Sequence, residues 1–361
     1  MNKYYNGGIL IYLSIIVMFI GLSIVYLLNS TGISIFQNYK ADIVRSQLLH
    51  NIKSGMAIFD DAELPDFDVN NEIQIQTIED GTITIKRNSV WTLKYWGQDI
   101  YAGFGSRDQH RITNQFTICL YFKPQTGGNP SIPLQGEALI TLGHLTNDDE
   151  DFGYDAYFER YNNNQKARLR FRLAIIDANL EHWTKTVIMD DIVDGNWYFL
   201  AVTFDGNSLN IYKNAELVQS VPAQGVVDVE FLDVPGRNSL YLGRRSTSSN
   251  AGLFKGQTTN FGIWDSALDQ SAITTIFSYG FSFDPLNSID HYQEQDNLVS
   301  FWRLNEGSGI YLHDLSVNNI TGSVNVPNWG GGEQQWVEDP DSHSYFMKTE
   351  FNGFERIEPF R

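Results

Sequence analysis

From Tyr4 to Tyr39 the chain carries no charged side chain. Within that stretch ILIYLSIIVMFIGLSIVYLL (Ile9 to Leu28) is about 20 residues of predominantly apolar sequence, enough at about 1.5 Å per residue to cross a hydrocarbon core of about 30 Å. The run is longer than the apolar core of a signal peptide, about 7–15 residues, and no A-x-A-like cleavage site follows it. It reads as a retained anchor rather than a removed signal. Lys3 precedes the span, whereas the first charges after it, Lys40, Asp42 and Arg45, are mixed and distant. The positive-inside rule therefore favours an inside amino terminus, so a single-pass protein with the bulk of the chain extracytoplasmic, at a cell or virion surface, is expected.

Beyond the span, Phe36, Tyr39, Ile43, Leu48, Ile52, Met56 and Phe59 recur at three- to five-residue steps, with Lys40, Arg45, Gln47 and Lys53 between them. That is the pattern of an amphipathic helix, and it predicts one transmembrane and stalk helix over 1–59. The small residues Asn6, Gly7 and Gly8, the apolar run and the ending SGMAIF resemble the N-terminal arm of type IV pilin-like minor subunits. The resemblance implies processing after Gly8. Leu13 stands where most major pilins place a glutamate, and a plain signal-anchor helix is the alternative.

The composition then changes. DDAELPDFDVNN (Asp60 to Asn71) is acidic and contains Pro65, the character of a linker. TITIKR (Thr82 to Arg87) and VWTLKYW (Val90 to Trp96) alternate as two strands joined near Asn88 and Ser89 would, so 60–111 is expected to be a linker and a small β element. The formal net charge of −18 repels phosphate backbones, which argues against nucleic acid as a partner. The single cysteine, Cys119, rules out an intrachain disulfide.

From Phe116 onward strand-like runs alternate with Gly, Asn, Asp and Pro turns, and no long helical period intervenes, so the domain is expected to be all-β. In WYFLAVTF both alternating sets of residues are apolar, as in a strand buried on both sides. Asp205-Gly206 permits a tight turn into LNIY, because glycine tolerates positive φ. The runs FTICLYFKP, ALITLG, ARLRFRLAI, NWYFLAVTFDG, LNIYKNAELV, LYLGR and FKGQTTNFGIWDSALD resemble, in that order, the concanavalin A-like, laminin G-like jelly roll. Thr117, Lys123, Pro124, Trp197, Ala201, Thr203, Asp205, Gly206, Tyr212, Asn214, Phe254, Gly256, Ile263, Trp264, Ala267 and Leu268 stand at positions of that pattern. The resemblance implies a lectin-like jelly roll over 112–280. Ala215 replaces the family's turn glycine, which predicts a different turn type there.

LVSFWRLNEGSG (Leu298 to Gly309) with Asp314 resembles the family's first strand and loop, although it comes near the end of the chain. Leu298 to Arg361 is too short for a second sandwich, which needs about a hundred residues. Unpaired, Phe301, Trp302 and Leu304 would expose an apolar strand edge. The segment 281–361 is therefore expected to complete the sandwich begun at Phe116, with Val299 to Leu304 paired in it and Glu306 to Asp314 forming a loop on its rim.

No E-x-D-x-x-E run of the kind used by glucanase relatives, no HExxH spacing and no nucleophile elbow is present, so a non-enzyme is expected. Two groups of residues could bind a ligand. The loop NDDEDFGYD places Asp148, Asp149, Asp151 and Asp155 together as candidate Ca²⁺ ligands, with a solvated acidic loop as the alternative. Arg168, Arg170 and Arg172 share one face of a strand and could grip an acidic glycan. Alternatively they pair with acidic neighbours such as Glu159. Trp183 is a further candidate, as an aromatic platform for sugars. Together these readings predict a membrane-anchored lectin-like binding or adhesion module whose ligand is a glycan or a protein. The alternatives are a minor pilin-like subunit of a filament or secretion complex and a structural envelope protein of a large virus.

Overall fold

The computed structural model describes residues 72–76, 82–96, 100–125, 136–145, 151–161, 166–229, 238–244, 253–326, 335–351 and 354–360. The expected membrane span Ile9 to Leu28, its extension to Phe59, the linker and the acidic positions Asp148 and Asp149 lie outside these residues. No helix among the described residues is long and apolar enough to cross a membrane.

In chain order the strands are β1 (Glu72–Gln76), β2 (Thr82–Trp96), β3 (Tyr101–Gly105), β4 (Phe116–Pro124), β5 (Glu137–His144), β6 (Phe152–Tyr161), β7 (Lys166–Ile176), β8 (His182–Ile192), β9 (Tyr198–Phe204) and β10 (Ser208–Lys213). There follow β11 (Glu216–Pro222), β12 (Val226–Val227), β13 (Leu240–Leu242), β14 (Lys255–Trp264), β15 (Leu298–Trp302), β16 (Tyr311–Leu312), β17 (Gly322–Asn325), β18 (Trp336–Phe351) and β19 (Phe354–Phe360), with helix α1 (Gln270–Tyr279) between β14 and β15.

The chain divides into two units, residues 1–87 with 346–358, and residues 88–345 with 359–361. In the first, β1 runs antiparallel to the start of β2, and the register sets Ile73 opposite Ile85 and Ile75 opposite Ile83. The expected turn at Asn88 and Ser89 is absent: Thr82 to Trp96 is one strand. No glycine or proline stands there to break the extended backbone.

The second unit is a sandwich of two antiparallel sheets. The first sheet orders β11-β10-β9-β4-β14-β2-β18, with β15 also on β14. The second orders β12-β7-β6-β5-β13-β3-β17-β16, with β8 on the far edge of β7. Alternate residues from both sheets, among them Phe104, Phe122, Phe158, Phe171, Phe261 and Trp302, fill one apolar core.

One edge of β14 belongs to β4 along most of its length. The other is shared. Residues Lys255–Thr258 pair with β2, and Phe261–Trp264 pair with β15. The late segment from Leu298 thus fills the half-edge that β2 leaves. Asp314 fastens it: Oδ1 accepts from the Phe301 and Ser316 N–H groups and Oδ2 from the Ile320 N–H, each at 2.9 Å. The Trp302 indole donates to the Ile320 carbonyl at 2.8 Å. The expected rim loop after Glu306 includes the short strand β16.

The outer face of the first sheet is covered. Inward residues of β9 (Tyr198, Leu200, Val202, Phe204) enter the main core, while Phe199 and Ala201 join a second cluster with Cys119, Tyr121, Trp264, Ala272, Ile273 and Ile276. This explains why both sets of residues in that strand are apolar. Helix α1 supplies the cover. Asp269 caps it, its side chain accepting from the Ala272 N–H at 2.7 Å, and Ala272, Ile273 and Ile276 sit at helical spacing on its buried side.

The turn from β10 to β11 corrects a further expectation. Asn214 and Ala215 both have positive φ, 52° and 63°, the signature of a type I′ turn. The turn type is retained and Ala215 adopts a left-handed conformation without glycine, held by contacts of the second cluster and by the Gln270 amide, which donates to its carbonyl at 2.6 Å.

Candidate functional site

Antiparallel pairing brings residues from distant parts of the chain into one row across the outer face of the second sheet. Thr186 opposes Arg172, then Asp155, Thr141, Tyr241, Gly103, Ser323 and Tyr311 follow in turn. Their chain neighbours Phe171, Leu173, Tyr154, Leu142, Leu240 and Leu242 point the other way, into the core.

One half of the row is buried and internally neutralised. Arg172 grips Asp155 with both ends of its fork, Nε to Oδ1 at 2.9 Å and Nη2 to Oδ2 at 2.6 Å, and Nη2 also donates to the Leu145 carbonyl at 2.7 Å. Burial opposes the Arg172 charge. The hydrogen bonds and charge of Asp155 outweigh it, helped by Tyr157 and Asp151, so the guanidinium pKa is raised. Beside this pair, Arg170 Nε lies 2.8 Å from Glu159 and Arg168 Nε 3.4 Å from Asp190. The contact to Glu159 is diagonal, since Glu159 is directly opposite Arg168 in the register. The three arginines share a face, as the alternation requires, but each has a carboxylate partner, and Arg172 is buried.

The same pairing bears on the acidic loop. Asp155 is committed to Arg172, and Asp151 accepts from the Thr184 hydroxyl at 2.9 Å. Among the described residues no group of three or more His, Cys, Asp or Glu side chains could hold a metal ion.

The other half of the row is partly exposed, and becomes exposed toward Ser323 and Tyr311. Tyr101 and Tyr241 meet edge to face with centroids 5.7 Å apart, and the Arg244 guanidinium lies over both rings, at 4.3 and 5.4 Å. Gly103 keeps the floor between them flat, since a Cβ there would already touch the Tyr241 ring at 3.4 Å. Ser323 is exposed and Tyr311 is 62% exposed. These residues were not singled out from the sequence. LYLGR reads as a strand, but only its pairing with YAGFG, far away in the chain, makes Tyr241 and Tyr101 neighbours.

Trp183 does not join the arginines. It shares the face of β8 that carries Val187 and Met189 into the core, so it lies on the opposite side of the sheet from Arg172. It is 48% exposed where that face runs out beyond the core.

Residues 97–274 match the model of the concanavalin A-like lectin/glucanases superfamily. No curated protein matches the chain. Among solved structures, the chain is similar to a protein from Bacteroides ovatus assigned a carbohydrate-binding role, with 13% identity and a TM-score of 0.45 over 66% of this chain and 58% of that one. It is similar to the CBM40 domain of the Ruminococcus gnavus IT-sialidase, bound to α2,3-sialyllactose, with 15% identity and a TM-score of 0.35 over 53% of this chain and 97% of that one. It is also similar to domain 4 of an extracellular arabinanase from Geobacillus stearothermophilus, in complex with arabinotriose, with 17% identity and a TM-score of 0.32 over 60% and 82%. Order of strands, sandwich and family match agree, and residues 97–274 are a concanavalin A-like, laminin G-like jelly-roll domain.

Proposed function

We propose that the protein is a membrane-anchored, extracytoplasmic lectin-like module that binds a glycan on the outer face of its second sheet. The observation that carries this reading is the half-exposed platform of Tyr101, Tyr241 and Arg244. Tyrosine rings offer flat apolar area at low cost in side-chain entropy, suited to the C–H face of a sugar ring, and the guanidinium stacked on them sets a positive charge beside that face. The neutralised arginine stripe beside it serves as a rigid floor rather than as the grip. Anchoring rests on the apolar run Ile9 to Leu28, and the reading as a binder rather than an enzyme on the lack of paired catalytic carboxylate, metallohydrolase or nucleophile motifs in the sequence.

Titration of the full-length protein against a panel of neutral and acidic oligosaccharides tests the proposal. At least one class is expected to bind, and Tyr241→Ala is expected to lower that affinity about tenfold or more, the loss of roughly 1.4 kcal/mol of contact. Binding that survives both Tyr241→Ala and Arg244→Ala unchanged would remove the platform from the account.

A further inference from the structure

The hairpin between β7 and β8 holds an exposed indole in a fixed pose. Asp177 builds the turn: its carbonyl accepts from the Leu180 N–H and its N–H donates to the Glu181 carbonyl, both at 3.0 Å. Its Oδ1 accepts from the Asn179 and Glu181 N–H groups, at 2.8 and 3.0 Å. Leu180 takes a left-handed φ of 64° to close the turn. The remaining oxygen of Asp177, Oδ2, accepts from the Trp183 indole N–H at 3.2 Å. The turn and the ring are thus tied by one carboxylate, and the indole spends its only polar group inside the protein. What it offers a ligand is its face.

Lys185 stands two residues on, on the same side of the strand, with Nζ 5.2 Å from the Trp183 ring centroid. Among the described residues no carboxylate lies within ion-pair distance of this ammonium, in contrast to Arg168, Arg170 and Arg172. In a chain of net charge −18, a cation left with an aromatic ring as its neighbour marks a place where a ligand's anion can sit. The Asp177 carboxylate lies at the N–H edge of the indole, away from the ring face that Lys185 covers.

We propose that Trp183 and Lys185 form a second ligand site, for a carboxylate-bearing sugar whose ring stacks on the indole while its carboxylate pairs with the ammonium. Lys185 occupies the ring in the free protein and turns to the carboxylate when the sugar takes its place. Asp177 is the positioning residue. The site lies on the other side of the sheet from the tyrosine platform and does not depend on it.

The test uses the full-length protein labelled with fluorotryptophan, whose Trp183 resonance is identified by its loss in Trp183→Phe. Oligomers of glucuronic acid, and the same oligomers with their carboxyl groups reduced to alcohols, are titrated to about 10 mM, a range that reaches weak single-site affinities. The acidic oligomer is expected to shift the Trp183 resonance, Lys185→Ala to weaken that binding about tenfold, and the reduced oligomer to bind about as weakly to wild type as the acid does to Lys185→Ala. Tyr241→Ala should leave the Trp183 shift in place. A Trp183 resonance unmoved by the acid, or moved equally by the acid and its reduced form, overturns the proposal, while leaving glycan binding at the tyrosine platform to be judged by its own variants.

Discussion

The two sheets of the sandwich share one core yet present opposite outer faces. On the first sheet, every residue of β4 and of β9 is buried, because α1 and the segment after it cover the face turned away from the core. On the second, Leu169, Phe171 and Leu173 are buried while Arg168 and Arg170, which alternate with them, stay partly exposed, and toward β13 and β3 the face carries half-exposed tyrosines. The difference is written in the outward positions alone. Inward residues are interchangeable in character between the sheets, whereas Cys119, Tyr121 and Phe199 on one outer face answer to Arg168, Arg170 and Tyr241 on the other. A face that is closed by its own chain contributes stability, and a face left open with aromatic and charged groups is available for recognition.

The largest effect expected concerns the strand that lets both faces exist. Truncation after Asp296 removes β15, opens half an edge of β14 and takes Phe301 and Trp302 from their clusters. No cooperative unfolding transition should remain by calorimetry. A truncated protein melting at the full-length temperature would break the comparison, since neither face would then need the segment.

Substitution should next separate the faces. Trp264→Ala, beneath the cover, empties a fully buried site and loses the 3.0 Å hydrogen bond to the Tyr292 hydroxyl, so unfolding by denaturant should show a cost of about 3–5 kcal/mol. Tyr241→Ala on the open face should cost no more than about 1 kcal/mol while impairing glycan binding. Equal costs at the two positions would mean that the second face is structural as well.

Acid offers a smaller, graded test at His110, which is buried against β15 with Nε2 3.4 Å from the Ser300 hydroxyl and its ring edge to Trp302. Burial lowers its pKa from 6.5 to about 4, against the opposing pull of Asp314 and with a small contribution from Arg107. Between those values the unfolded chain binds a proton that the folded one refuses. Stability from this group is therefore complete above about pH 6.5 and drains as the pH falls toward 4, by about 3 kcal/mol in all. His110→Gln should flatten that part of the stability profile, and an unchanged slope would place the acid sensitivity elsewhere.

The smallest effect lies under the cover. Ala215 holds a positive φ that glycine adopts freely, so Ala215→Gly should stabilise the protein by up to about 1 kcal/mol, less whatever its Cβ contributes to the cluster around α1. A destabilised variant would show that packing of that methyl group outweighs the backbone strain.

Much of this architecture could be read from local pattern. The apolar double alternation of FTICLYF and WYFLAVTF marked strands buried on both sides, and the late LVSFW run, too apolar to stand alone, is found on the edge of β14. Other elements depended on information no local pattern holds. Helix α1 is ten residues of QSAITTIFSY, rich in β-branched residues, and only its Asp269 cap and the spacing of Ala272, Ile273 and Ile276 distinguish it from another strand. At Ala215 the backbone strain is visible in the local sequence, and the contacts that sustain it are not. The shared face of the arginine stripe and its pairing with Glu159 are legible in the sequence, whereas the partners Asp155 and Asp190 follow from register across two hairpins. Tyr101 and Tyr241 become one site only through pairing of β3 with β13, and Trp183 parts from the arginines because odd and even positions of paired strands face opposite ways.

The central claim, that the proposed tyrosine platform on the open outer face binds glycan, is tested most directly by hydrogen exchange of the full-length protein with and without a bound oligosaccharide. Protection is expected to rise at β3, β13 and β17, around Tyr101, Tyr241 and Ser323, and to stay unchanged along α1. Protection that rises along α1 while β3 and β13 exchange as before would contradict it.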